Sequence, residues 1–150
     1  METRVHVESD SQGTQQPWNR GQTHRSQAAS SPESCLAVRT RLQLLKRYRD
    51  LALFDLAIDS KLRGCDVVGL KVVDVAPNGH AVDRASVRQR KTGRPVRFEI
   101  TEQTRQAIDD YLSLRGRGSG PYLFPGRGPV GHLTTRQYAR VRGLAHNDRP

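Results

Sequence analysis

Apolar positions are almost absent over residues 1–31 and then recur with recognisable periods. The first stretch is rich in Ser, Gln, Thr, Asn and Gly, and cannot bury enough apolar surface to offset the entropy of ordering. It is expected to be a disordered polar tail. Pro17-Trp18-Asn19-Arg20-Gly21 stands out within it, because it holds the single tryptophan. That side chain either docks on the folded part or stacks on a nucleic-acid base. Ser31-Pro32-Glu33 reads as a helix start: a capping side chain, a proline at the first position, then an acid at the positive end of the dipole. The helix is predicted to run to about Lys46. Leu36, Leu42 and Leu45 fall near one face, with Arg39, Arg41 and Lys46 outward.

Asp50 can cap a second helix through about Ser60. Leu51, Ala52, Leu53, Phe54, Leu56, Ala57 and Ile58 make it apolar nearly all round, which predicts a central helix buried on most sides. Gly64 would permit the corner after it. Cys65 to Leu70 reads as a short helix with Asp66 near its start, and Val72, Val73 and Val75 as an extended segment. Pro77-Asn78-Gly79 is a turn. Ala85, Val87 and Gln89, then Val96, Phe98 and Ile100, alternate with polar neighbours as two strands. Lys91-Thr92-Gly93-Arg94 joins them as a hairpin turn. Thr101 caps a helix that ends at Gly116, with Ile108, Tyr111 and Leu112 on one face. Tyr122-Leu123-Phe124-Pro125 is an apolar anchor between two Gly-rich loops. Thr134 or Thr135 caps a last helix through Val141, and residues 143–150 form a second disordered tail. The fold class is therefore α+β, mainly helical with a small antiparallel sheet, in one domain over residues 32–142.

Charge sharpens this picture. The 25 Lys and Arg against 15 Asp and Glu leave a net charge of +10 on 150 residues. Such an excess favours a polyanionic partner, nucleic acid first; a solvated basic surface is the alternative. Nothing approaches the ~20 apolar residues of a membrane span, and Met1 to Asp10 has no apolar signal core. Cys35 and Cys65 lie far apart without metal spacing and read as small core residues, which fits a reduced, intracellular compartment. No cofactor and no metal are expected.

The candidate chemistry lies around Lys61-Leu62-Arg63-Gly64-Cys65-Asp66 and the basic hairpin. An arginine at a helix end and a lysine on a hairpin tip can grip one phosphate. Singly, each residue has a plainer reading: Arg63 as a charge at a helix C-terminus, Lys91 as an exposed turn residue, Asp66 as a helix N-terminal acid. Arg88, Arg90, Arg94 and Arg97 crowd the same β-element, and Arg136 lies on the last helix. In ordered combination these residues resemble the catalytic domain of tyrosine recombinases, the phage-integrase type of DNA strand-transfer enzyme. The resemblance runs over about residues 34–142: an apolar helix, Leu62-Arg63, the acid at Asp66, a Lys91-Thr92-Gly93 hairpin, a helix, then Tyr122-Leu123-Phe124-Pro125. The Pro-Trp-Asn segment and the Arg49–Phe54 run also look like a short integrase-like bacterial subgroup.

The resemblance implies a phosphate site in which Arg63 is a clamping arginine, Lys91 the general acid and Asp66 an accessory carboxylate that orients the site. Arg88, Arg90, Arg94, Arg97 and Arg136 would contact DNA. The family also has a His-x-x-Arg box followed by a nucleophilic tyrosine, and here the match stops. His146-Asn147-Asp148-Arg149 fits only literally, and Tyr48, Tyr111, Tyr122 and Tyr138 all precede it. Tyr111 and Tyr122 read as core anchors, Tyr138 as a packing or backbone-contact residue. The chain thus reads as the first half of a catalytic domain, cut near residue 142. Helix 50–60 is then expected to leave apolar surface bare. The implied function is a DNA-binding recombinase fragment of DNA recombination and integration that does not complete strand transfer. A non-enzymatic basic DNA-binding or regulatory module is the rival, and an RNA-binding protein a weaker one. Expected partners are DNA and full-length recombinase relatives, without a membrane, in the bacterial cytoplasm at the nucleoid.

Overall fold

The computed structural model describes residues 32–116 and 120–143, all within the unit Pro32–Pro150. The expectations for residues 1–31, including Trp18, and for 144–150, including His146 and Arg149, lie outside the described residues. In order the elements are α1 (Pro32–Leu44), α2 (Tyr48–Ser60), α3 (Gly64–Val68), α4 (Val72–Val75), β1 (Arg84–Arg88), β2 (Pro95–Glu99), α5 (Glu102–Arg115) and α6 (Thr135–Gly143). The α+β, mainly helical class with a small antiparallel sheet is what the structure shows.

α2 is the centre. Leu51, Ala52, Leu53, Phe54 and Leu56 are buried, and α1, α3, α5, α6 and β2 pack around them. The expected bare face is not there. Ile58, at 39% exposure, is the one large apolar side chain of α2 that reaches solvent. The helices of this chain already cover the rest.

α1 meets α2 through Val38 and Leu42, four apart and so on one face. Leu36 and Leu45 are exposed, contrary to the predicted face. Arg39, predicted outward, turns in instead. Its Nε lies 2.8 Å from Oδ1 of Asp55, a carboxylate that is 1% exposed on α2. A buried charge needs a partner, and that need rotates α1. Burial still pushes the Asp55 carboxyl above the usual carboxylate range, with Arg39 pulling it back in part.

The segment at Val72–Val75 is a single helical turn rather than the predicted extension. Extended pairing stops at Lys71, which bridges to Tyr122. The Asp74 carboxylate then accepts from the Lys71 N–H at 3.0 Å and closes the turn. That is an N-terminal capping bond, and it outweighs the β-preference of two adjacent valines.

The two strands show the predicted alternation, and the structure sets their register. Ala85 faces Phe98 and Val87 faces Val96 on the core side, while Ser86 faces Arg97 and Arg88 faces Pro95 outward. Thr101 caps α5, and Asp59 of α2 accepts from both its N–H and its hydroxyl at 2.9 Å, so α5 starts where α2 ends. Tyr111 stacks on Phe124 with centroids 5.9 Å apart. Leu123 and Phe124 are fully buried, as the apolar anchor predicts. Each such side chain contributes roughly 1.5–3 kcal/mol of burial.

Candidate functional site

The site begins where α2 ends. The corner is made by Lys61, a non-glycine residue in the left-handed region (φ 52°), and not by Gly64. Leu62 anchors the corner in the core. Arg63 follows in extended conformation as the N-cap of α3. Its carbonyl accepts from the N–H groups of Asp66 and Val67 at 2.9 and 3.0 Å, which fixes its backbone. Its side chain is exposed and has no hydrogen bond or ion pair among the described residues.

Gly64 is needed for space. A Cβ there would sit 2.8 Å from Cε1 and 2.9 Å from Cδ1 of Tyr138 on α6. The ring of Tyr138 thus lies flush on the start of α3, next to Arg63. Sequence reasoning missed this contact, since nothing local links residue 64 to residue 138.

Asp66 is 5% exposed and more than an acid in a first helical turn. Its Oδ1 accepts from the Arg90 N–H at 3.0 Å. Its Oδ2 is buried without a partner among the described residues. The bond joins α3 to the hairpin, immediately beside Lys91. Arg63 stands one helical turn back along the chain, about 5 Å along the axis. Asp66 is thus bonded on one side to the Arg63 carbonyl through its own N–H and on the other, through its carboxylate, to the backbone next to Lys91.

The hairpin tip is well braced. Gly93 N–H donates to the Gln89 carbonyl at 2.8 Å, and Gln89 N–H to the Arg94 carbonyl at 3.0 Å. The Thr92 hydroxyl meets the Gln89 side chain at 2.8 Å. Gly93 takes φ 65°, which a side chain would strain. Lys91 and Arg94 are exposed at this tip. Arg88 and Arg97 are exposed on the outer face of the two strands. The stem of Arg90 passes near Gly69 at the end of α3. None of these side chains has an ion pair among the described residues. The one strand cation that does is Arg84, 3.2 Å from Glu99. Arg136 is exposed in the first turn of α6, with no bond tying it to the hairpin.

The tyrosines are used in packing. Tyr138 is 7% exposed, and burial raises its hydroxyl above the ordinary value, offset in part by the positive charge of Arg142. Burial likewise raises Tyr111. Tyr122 packs edge-on against His132 with centroids 5.1 Å apart. Cys35 and Cys65 are half-buried and are not joined in a disulfide. Among the described residues no three His, Cys, Asp or Glu side chains converge on a metal position, and no helix is long and apolar enough to cross a membrane. Two cavities lie at the α1–α2 junction rather than beside Arg63.

No protein-family model matches the chain, and no curated protein matches it in sequence. Among solved structures it is similar to a XerA recombinase, with TM-score 0.61 and 18% identity over 79% of this chain and 43% of that one. The chain thus spans less than half the length of that recombinase. At this identity the likeness is one of fold.

Proposed function

We propose that this chain is a DNA-binding, recombinase-like module that holds backbone phosphate between Arg63 and Lys91. The observation that carries the reading is the unneutralised cation cluster of α3 and the hairpin, locked together by the bond from Arg90 N–H to Asp66. The fold likeness to a recombinase supports it. Arginine offers paired N–H donors to the non-bridging oxygens of a phosphodiester. Lysine is a flexible donor that can serve a leaving oxygen. Asp66 is the positioning carboxylate for both. Arg88, Arg90, Arg94 and Arg97 extend the contact along the duplex, with Arg136 an outlying contact on α6. Full-length recombinases are a proposed second partner.

The chain by itself binds without covalent strand transfer. Tyr138 and Tyr111 are buried with raised hydroxyl pKa, and Tyr122 is packed, so none of these is a ready nucleophile. Mixing the full chain with linear and supercoiled duplex at low salt should give a mobility shift that weakens steeply as salt rises. Denaturing gels should show no protein–DNA adduct. A tyrosine-linked adduct would overturn the non-catalytic part, and a shift unchanged by Arg63→Ala with Lys91→Ala would overturn the site.

A further inference from the structure

The far end of α2 carries a second concentration of cations that the α3–hairpin site does not use. α1 closes on Lys46, left-handed at φ 52°, with the Arg47 N–H returned to the Leu42 carbonyl at 3.0 Å. This is the place in a helix-ending motif where glycine sits without strain. Arg47 and Arg49 follow at once. Asp50, 2% exposed, takes Arg47 on Oδ2 at 2.5 Å and Arg49 on Oδ1 at 3.2 Å. Both its oxygens are thereby occupied, and one carboxylate faces two guanidiniums.

Arg47 and Arg49 share a cavity of about 250 Å³ with Arg140 and Gln137 of α6 and with the buried Leu133. Arg140 has no ion pair among the described residues. The oxygen of Gln137 is taken by Thr134, which leaves its NH₂ as a further donor. A second cavity, of about 410 Å³, shares Arg47 and Arg49 as lining and adds Lys46, Tyr48 and Leu114.

We infer that this corner is a second phosphate site, which takes a backbone phosphate of the same nucleic acid that the hairpin grips. Three features favour a ligand over a merely solvated surface. The cations outnumber the available carboxylate. Arg47 and Arg49 are already oriented by Asp50, so less side-chain freedom remains to be lost on binding. The concave lining, which includes the buried apolar Leu133, concentrates the field. α2 has 13 residues, so its two ends, one beside Arg47 and Arg49 and the other leading into Arg63, stand about 20 Å apart along the axis. That is the length of about six base pairs at 3.4 Å each. The inference rests on the proposed DNA-binding function and adds a second anchoring point to it.

The test compares salt dependence of duplex binding for the full chain, Lys46→Gly with Arg140→Gln, Arg63→Ala, and the control Lys71→Gln. None of the corner substitutions touches Asp50, and Lys46→Gly relieves the left-handed strain, so thermal stability should not fall. The corner variant is expected to lower the slope of log affinity against log salt by about 0.9 for each phosphate that is no longer neutralised, as Arg63→Ala does at the other pole. An unchanged slope in the corner variant, with Arg63→Ala still effective, would overturn the second site and leave the DNA-binding reading standing. No duplex binding by the full chain would overturn both. An equal fall in Lys71→Gln would show diffuse charge and overturn the site. If titration with inorganic phosphate responds to the corner variant while the duplex slope does not, the site takes free phosphate and the inference fails.

Discussion

The α1–α2 shoulder and the α3–hairpin edge are both rich in arginine, but they use it differently. At the shoulder, carboxylates buried on α2 hold the guanidiniums. Asp55 takes Arg39, and Asp50 takes Arg47 and Arg49. At the edge, the nearest buried carboxylate is Asp66, and it spends its bond on a backbone N–H. Arg63, Arg88, Lys91, Arg94 and Arg97 are left facing water. Net charge therefore does not locate an anion site. What locates it is which cations the fold has failed to pair, or has paired two to one.

The largest expected break in this contrast is Arg39→Ala. It strands a buried carboxylate and should cost about 3 kcal/mol in chemical denaturation, with DNA binding of the folded protein intact. A loss below the scatter of surface substitutions would mean that Arg39 is no more structural than Arg63. Next is Gly64→Ala, which forces a methyl against the Tyr138 ring. It should cost roughly 1–3 kcal/mol and also weaken binding, because the strain falls beside Arg63. Wild-type stability in that variant would remove α6 from the account of the site.

Arg63→Ala and Lys91→Ala should each leave stability within about 0.5 kcal/mol. Each should still lower the salt slope of DNA binding by about 0.9. The mirror image of Arg39 is thus a residue that matters to binding and not to folding.

A pH signature sharpens the shoulder further. The folded Asp55 carboxyl is raised above 3.8, so the folded state holds its proton where the unfolded chain has released it. Its contribution to stability is complete below 3.8 and is lost as pH rises through the folded value. The difference in melting temperature between the protein and Asp55→Asn should shift against the protein as pH rises through that window. A flat difference would show that Arg39 fully offsets burial.

Much of the candidate site was legible because its signals are local. Gly93 in the turn, the alternation of Val87 and Val96, and the spacing of Arg63 to Asp66 need only near neighbours. The corner was misassigned because a glycine beside a turn is usually its cause, and here a lysine takes the left-handed backbone instead. The inward turn of Arg39 was invisible for a different reason. Its partner lies sixteen residues away on another helix, and periodicity on α1 alone made it a solvent-facing charge.

The sequence by itself determined the helices other than α4, the hairpin, the buried character of α2, and the density of positive charge. These follow from period, capping and composition, which act over a few residues. Only the tertiary structure decided which charges remain available. It set Asp50 and Asp55 inside the shoulder to hold Arg39, Arg47 and Arg49. It aimed Asp66 at the Arg90 backbone and laid Tyr138 over Gly64. Burial makes an unpaired charge costly, so packing settles the pairing first, and the cations left over form the surface that can meet a phosphate.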